Sequence, residues 1–319
     1  MNKMSVEPLI RTENLKKYYK TPNGMLHAVD DINFNIYKGS TLGVVGESGC
    51  GKSTLGRLIL GLTKATAGKV FFEGRDITNL SFKEAKKIRT DLQIIFQDPF
   101  SSLNPRKTVG EIIADPIKIN KILTDRKQIN EMVFETMDIV GLDERYINTY
   151  PHELDGGRRQ RIGIARALVM KPKFIVCDEP VSALDVSIQA QILNLMMDLQ
   201  ESMGLTYLFI THDLSVVRHI SDEIAVMYLG QCVEKAKAEE LFNNPCHPYT
   251  KALLSAIPKP ELRKDRRKNL IKGEVTSPIN PPIGCRFASR CELCDDQCKN
   301  KPIELREITD GHYVACANI

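Results

Sequence analysis

The stretch GESGCGKST, Gly46-Glu47-Ser48-Gly49-Cys50-Gly51-Lys52-Ser53-Thr54, decides how the rest of the chain is read. It fits G-x-x-x-x-G-K-[ST], in which small residues let the backbone curl until successive N–H groups face inward and hold phosphate oxygens. Lys52 would reach the β- and γ-phosphates, and Ser53 would give its hydroxyl to Mg²⁺. A glycine-rich turn with a chance lysine would look the same in isolation, so the flanks matter. Upstream, TLGVVG (Thr41 to Gly46) is a continuous apolar run, as expected of a strand covered on both faces. Downstream, STLGRLILGL has helical character. Strand, glycine turn and helix in that order open a parallel α/β sheet, with the helix directing its positive end at the anion. Cys50 reads as a small loop residue, because no second cysteine is adjacent to give it redox chemistry.

Before this loop, the alternation in AVDDINFNIYKGS, with Val29, Ile32, Phe34 and Ile36, predicts one half-buried strand ending at Gly39. Beyond it, KFIVCDEP and LTYLFITHD are two further buried-strand candidates. The first ends in Asp178-Glu179, which sets two carboxylates at the C-terminal edge of a strand, where parallel sheets bind ligands. Asp178 would hold Mg²⁺ through water, and Glu179 could polarise the attacking water as general base. An Asp-Glu pair alone is also what a solvated loop offers; joined to the lysine loop it points to a nucleotide hydrolase. Roughly Lys107 to Met170 is rich in helix formers and predicts an inserted helical subdomain. After about residue 236 the α/β rhythm ends, in a proline-punctuated stretch around one short helix, NNPCHPYTKALLSAIPKP. Lys259 to Lys272 is a basic connector with seven Lys/Arg against two acids, read as solvated or as lying near anionic lipid headgroups.

Other segments resemble one family, the ATP-binding cassette (ABC) proteins. HELDGGRRQRIGIARAL resembles their signature segment, FQDPFSSLNP their glutamine loop, VSALD their D-loop and THD their histidine switch, all in the family's order. FQDP-x-x-SLNP with HPYTKALLSAIP is similar to the oligopeptide/dipeptide/nickel importer branch, as is the C-terminal GCRF-x-x-RC…C…GHYVAC. The resemblance implies an α/β P-loop NTPase cassette with an antiparallel β subdomain, a helical subdomain at about 98–170 and a small Cys-rich extension. It divides the chain into a nucleotide-binding domain at 1–258 and an extension at 259–319. The activity implied is ATP hydrolysis that energises uptake of peptides or nickel, on the cytoplasmic face of a bacterial or archaeal membrane. Two separate permease subunits would move the solute, delivered by an extracytoplasmic binding protein.

By the same resemblance, Tyr19 stacks on adenine, although Tyr18 is one position away. Gln97 contacts the metal and the attacking water, His212 contacts the γ-phosphate, and Asp185 lies at a dimer interface. Such cassettes pair head to tail, each nucleotide held between one subunit's phosphate loop and the other's signature. The signature here is Leu154-Asp155-Gly156-Gly157-Arg158 rather than LSGGQ. The usual serine donates a hydrogen bond to the γ-phosphate; an ionised Asp155 cannot, and like charges at about 4 Å and a dielectric near 20 cost on the order of 4 kcal/mol. Arg158 would offset this by pairing with Asp155 or with the phosphate. A variant of normal activity and a division of labour are both compatible with these residues. The second predicts a heterodimer with an LSGGQ-type subunit.

Composition bounds the rest. The 319 residues carry a net charge of +4, too balanced for a nucleic-acid footprint. No apolar run reaches the length of a membrane span, and MNKMSVEPLIRTENLKK has no signal-peptide pattern, so the cytoplasm is expected. Five of nine cysteines lie in the last 35 residues, and in a reducing compartment that clustering suggests metal. Cys285, Cys291, Cys298 and Cys316 match the spacing of the importer branch, whose tail is similar to one binding a [4Fe–4S] cluster. Zn²⁺ and free thiols are the alternatives, and Cys294 is additional.

Overall fold

The computed structural model describes residues 7–257, 273 and 276–319; the basic connector at 259–272 lies outside the described residues. The chain packs as two units, one of Met1–Ile36, Thr41–Thr78 and Phe209–Ile319, the other of Tyr37–Ser40 and Asn79–Leu208. The first unit begins with a hairpin of β1 (Ile10–Thr21) and β2 (Gly24–Ile32), followed by β3 (Asn35–Ile36). Val29, Ile32, Phe34 and Ile36 are all buried. They do not form one strand running to Gly39, however. Asp31 sits at φ 61°, which turns the backbone over and lengthens the buried spacing from two residues to three, so β2 stops at Ile32. Both β2 and β3 pair antiparallel with β1, as does β5 (Ala67–Phe72), with β6 (Arg75–Asp76) at its far side. Between them lie β4 (Thr41–Val45), buried at every residue, and α1 (Lys52–Ile59).

In the second unit, α2 (Phe82–Ile88) starts at a Ser81–Glu84 capping box and leads to β7 (Leu92–Ile95). Four helices follow, α3 (Pro99–Ser102), α4 (Val109–Asn120), α5 (Arg126–Ile139) and α6 (Gly156–Leu168). Thr108 and Glu111 make the second capping box, at the start of α4. β8 (Phe174–Asp178) pairs parallel with β7, and α7 (Val186–Met203) ends at Gly204 in the left-handed region, φ 65°.

β9 (Thr206–Thr211) carries the chain back into the first unit. There α8 (Leu214–Ile220) precedes β10 (Glu223–Tyr228), which runs parallel to β4, and β11 (Gln231–Lys237), antiparallel to β10. Two short helices, α9 (Ala238–Asn243) and α10 (Pro248–Ser255), come next. The tail holds α11 (Asp296–Asn300), β12 (Arg306–Thr309) and β13 (His312–Val314), and β13 extends the sheet by pairing with β11. Phe287 enters a core with Tyr228, Tyr249, Val226 and Leu241, against which Cys285 and Cys291 pack. Glu234, fully buried in β11, is satisfied by the N–H groups of Cys246 and His247 and by His312 from β13. A buried carboxylate with three partners is a fastener, and one of them comes from the tail.

Candidate nucleotide site and thiol cluster

The phosphate loop follows from its glycines. Gly51, at φ 104°, is the N-cap of α1, and a Cβ there would collide with the carbonyl of Ala28. No side chain caps α1 and no acid lies in its first turn, whereas α4, α6 and α7 begin with a Thr or Asp accepting from their first-turn N–H groups. The positive end of α1 thus has neither a capping side chain nor an acid beside it, which would suit an anion. The Lys52 ammonium is buried and donates to the carbonyls of Gly46 at 2.7 Å and Glu47 at 3.0 Å. Phosphate oxygens would take over from these carbonyls. Ser53 and Thr54 lie in the first turn of α1, while Ser48 and Gly49 are exposed on the loop. Burial pushes the Cys50 thiol up, against the opposing pull of Lys52, which suits an inert loop residue.

In the same unit the two tyrosines of β1 have different surroundings. The Tyr18 ring stacks on His27, 3.9 Å between centroids, and its hydroxyl donates to Asp30. Tyr19 is 38% exposed, with the Lys17 ammonium 4.7 Å from the ring centroid. His212, after β9, is exposed.

In the second unit, Asp178 is the buried last residue of β8, and Glu179 follows in the left-handed region at φ 48°. That turn brings the Glu179 carboxylate to the Gln97 amide, which donates to it at 2.9 Å. Two residues 82 positions apart in sequence are joined here. Asp155 is the N-cap of α6, accepting from the Arg158 N–H at 2.8 Å, and its other oxygen pairs with the Arg158 guanidinium. Of the two pairings expected for Arg158, the one with Asp155 is formed. A Cβ on Gly156 would stand 3.1 Å from the Leu184 side chain and one on Gly157 2.8 Å from that of Ile188, so those side chains would have to shift to admit it. Asp185 caps α7 through the Ile188 N–H at 3.0 Å.

In the tail, the Cys285 thiol is pushed up to about 11, first by burial and then by the neighbouring Cys298, Cys291 and Cys316. The other three expected ligands thus lie within electrostatic reach of Cys285, whose N–H donates to the Cys298 carbonyl at 2.7 Å; among the described residues, the ligand atoms close enough to share one metal ion are those of Glu234, Cys246 and His312. Cys294 neighbours Cys291 and Cys298. What the sequence reading missed is the set of arginines among these cysteines. Arg290 forms a two-pronged ion pair with Glu47 of the phosphate loop, at 2.9 and 3.2 Å, and Arg286 pairs with Asp30. Their signal was available: an arginine directly after Cys285 and another directly before Cys291.

A phosphate loop on an α/β sheet, a carboxylate pair ending a second strand, and a glycine-rich helix start define a P-loop nucleotide hydrolase. Residues 29–182 match the family described as ABC transporter, and residues 233–298 that described as oligopeptide/dipeptide transporter, C-terminal region. The chain is 50% identical to the oligopeptide transport ATP-binding protein AppF of Bacillus subtilis (strain 168) over 99% of both chains. It is 51% identical to the oligopeptide transport ATP-binding protein OppF of Salmonella typhimurium (strain LT2), over 95% of this chain and 91% of that one. Among solved structures, the dimeric ATP-binding cassette MJ0796 in a post-hydrolysis state bound to ADP and Pi is similar. It has a TM-score of 0.66 and 31% identity, over 72% of this chain and 98% of that one. The chain belongs to the ABC transporter family, in its oligopeptide/dipeptide ATP-binding branch.

Proposed function

We propose that this chain binds and hydrolyses ATP to energise uptake of di- and oligopeptides through two separate membrane permease subunits. The observation that carries this is the likeness to oligopeptide transport ATP-binding proteins along nearly the whole chain, tail included. Among the described residues no helix is long and apolar enough to cross a membrane, which suits a subunit bound to the cytoplasmic face of permeases. Residues 1–258 form the nucleotide-binding domain and 259–319 its extension.

Tyr19 stacks on adenine, because the Tyr18 ring is already engaged with His27. Gly46, Glu47, Gly49, Cys50 and Gly51 wrap the phosphates with Lys52, Ser53 and Thr54. Ser53, Gln97 and Asp178 are oxygen donors, the set that a hard Mg²⁺ ion takes. Glu179 is the general base, with its carboxylate oriented by the Gln97 amide at 2.9 Å. His212 meets the γ-phosphate. Asp155 to Arg158 face the nucleotide of a second cassette subunit, and Asp185 relays between the sites. That subunit carries LSGGQ, so the nucleotide bound by this chain's own loop is hydrolysed, while the one facing Asp155 turns over more slowly. The all-thiol set Cys285, Cys291, Cys298 and Cys316 fits a [4Fe–4S] cluster, which would fold the tail.

Glu179→Gln tests the assignment in the assembled transporter. It is expected to abolish most of the ATPase while nucleotide binding survives; near-normal ATPase would remove Glu179 from the reaction.

A further inference from the structure

Tail and nucleotide site touch at three places in the first unit. Arg290 is the last residue of a single helical turn, Ala288–Arg290, that ends directly before Cys291. Its two terminal nitrogens grip both carboxylate oxygens of Glu47, at 2.9 and 3.2 Å, and one of them also donates to the Tyr228 hydroxyl at 3.2 Å. The N–H of Glu47 in turn donates to the hydroxyl of Tyr249 at 3.0 Å, and the Tyr249 ring packs against Phe287. Glu47 is thereby held by side chain and by backbone, and its carbonyl is one of the two that hold Lys52.

Arg286 reaches the other end of the site. It pairs with Asp30 and donates to the Leu229 carbonyl, while Asp30 accepts from the Tyr18 hydroxyl. Burial alone would raise Asp30, but hydrogen bonds from Tyr18 and His27 and the Arg286 charge outweigh it and hold the carboxyl below its ordinary range. The third contact is backbone. The Asn280 N–H donates to Met25 O at 2.9 Å and the His27 N–H to Pro278 O at 3.1 Å, which ties the tail to β2 of the hairpin that carries Tyr19.

We propose that Arg290 is a positioning residue for the phosphate loop, carried by the Cys-rich tail, so that ATP affinity at this loop depends on the tail being folded. The second half rests on the reading of the four cysteines as a cluster site; the first does not. A two-pronged Arg–carboxylate pair fixes both position and plane of the carboxylate, so its loss frees the Glu47 peptide on which Lys52 depends. Apparent Kd rises by the inverse of the fraction of chains whose loop is formed. A loop formed in about one chain in ten then binds ATP about tenfold more weakly. Coupling is reciprocal, so saturating ATP also protects the tail.

The test uses the full-length chain in the assembled transporter, with ATP titrations, steady-state kinetics and anaerobic absorbance at about 400 nm for the cluster. Arg290→Met is expected to raise the ATP KM about tenfold, with kcat within about twofold and the cluster absorbance retained. Arg290→Lys recovers part of the affinity. Cys285→Ser/Cys316→Ser is expected to raise KM likewise, and saturating ATP is expected to slow alkylation of the tail thiols by iodoacetamide in cluster-free protein. An unchanged KM in Arg290→Met overturns the positioning role. A raised KM in Arg290→Met with an unchanged KM in the cysteine variant confines control to the arginine and overturns the dependence on the tail. A colourless, iron-free protein refutes the cluster alone, and the Arg290→Met result still decides the clamp.

Discussion

Arg158→Ala separates the two tasks of Asp155. The carboxylate caps α6 through the Arg158 N–H at 2.8 Å, and truncating the side chain leaves that cap in place. It strips away the counter-charge. Arg158 and Asp155 are 44% and 54% exposed, so the pair is worth only about 0.2–1 kcal/mol to folding after solvent screening. The Arg158 guanidinium also lies 5.1 Å from the Tyr146 ring, adding about 0.5 kcal/mol at an exposed site. Stability should therefore fall by about 1.5 kcal/mol at most.

Function responds differently. On the proposed reading, the signature of a closed pair faces the partner's γ-phosphate and water is excluded. An unbalanced Asp155 then meets an anion, with about 4 kcal/mol per unit charge pair at 4 Å as the scale. If a third of that survives relaxation, closure weakens by about 1.4 kcal/mol, or tenfold. The assay is steady-state ATPase of the assembled transporter against ATP concentration, for Arg158→Ala, Asp155→Ser and the double variant. Arg158→Ala alone is expected to raise half-saturating ATP about tenfold. Asp155→Ser, which keeps a capping hydroxyl, should not reduce the ATPase, and the double variant should behave like Asp155→Ser. Single effects that add to within about 0.5 kcal/mol would refute the charge pairing as the reason that Asp155 is tolerated.

Gly51→Ala should remove ATP binding while leaving most of the fold intact. The residue would hold φ 104° at a cost of about 1–3 kcal/mol and push its methyl into the Ala28 carbonyl; dye-labelled ATP titration reads the loss. His247 is fully buried, and burial together with the Lys251 charge lowers it from 6.5 to about 4. The neutral ring is favoured when folded, so its stabilisation stands in full above pH 6.5 and is lost as pH falls towards 4, by about 2 kcal/mol at pH 5. Urea midpoints at pH 7 and pH 5 should show this loss, and His247→Asn, which keeps a capping side chain for α10, should flatten it.

The strands and helices around the phosphate loop were legible because burial on both faces leaves continuous apolar runs, as in TLGVV and FIVCD. The run from Val29 to Ile36 misled because alternation records which residues are buried, not whether the backbone between them stays extended. Asp31 turns the chain over while Val29 and Ile32, three residues apart, both stay buried. The family pattern singled out Gln97 and Glu179 each by itself, but the bond between them was not legible, since nothing local relates residues so far apart. Arg286 and Arg290 escaped for a related reason. A guanidinium in a polar, Cys-rich tail reads as solvated, and its buried destination appears only once Phe287 draws the tail against Tyr228 and Tyr249.

Arg158 and Arg290 act on different nucleotides if the working unit is a heterodimer, and this gives a test of composition that needs no purification of the partner alone. On the proposed reading, Arg290, paired with Glu47, serves the loop of its own chain, whereas Arg158, paired with Asp155, balances the signature presented to the partner's nucleotide. In a heterodimer, Arg290→Met weakens one of two ATP sites and leaves the other, and Arg158→Ala does the reverse; the double variant weakens both. In a homodimer every nucleotide meets one altered element in either single variant, so both sites shift together and the double variant compounds at each. Calorimetric ATP titration of the assembled transporter in a Glu179→Gln background, which suppresses turnover, separates these patterns. A tenfold difference in Kd between sites, about 1.4 kcal/mol, resolves as two steps. Two steps in each single variant that merge in the double variant are expected; a single step shifted equally in both single variants would mean that two copies of this chain face one another.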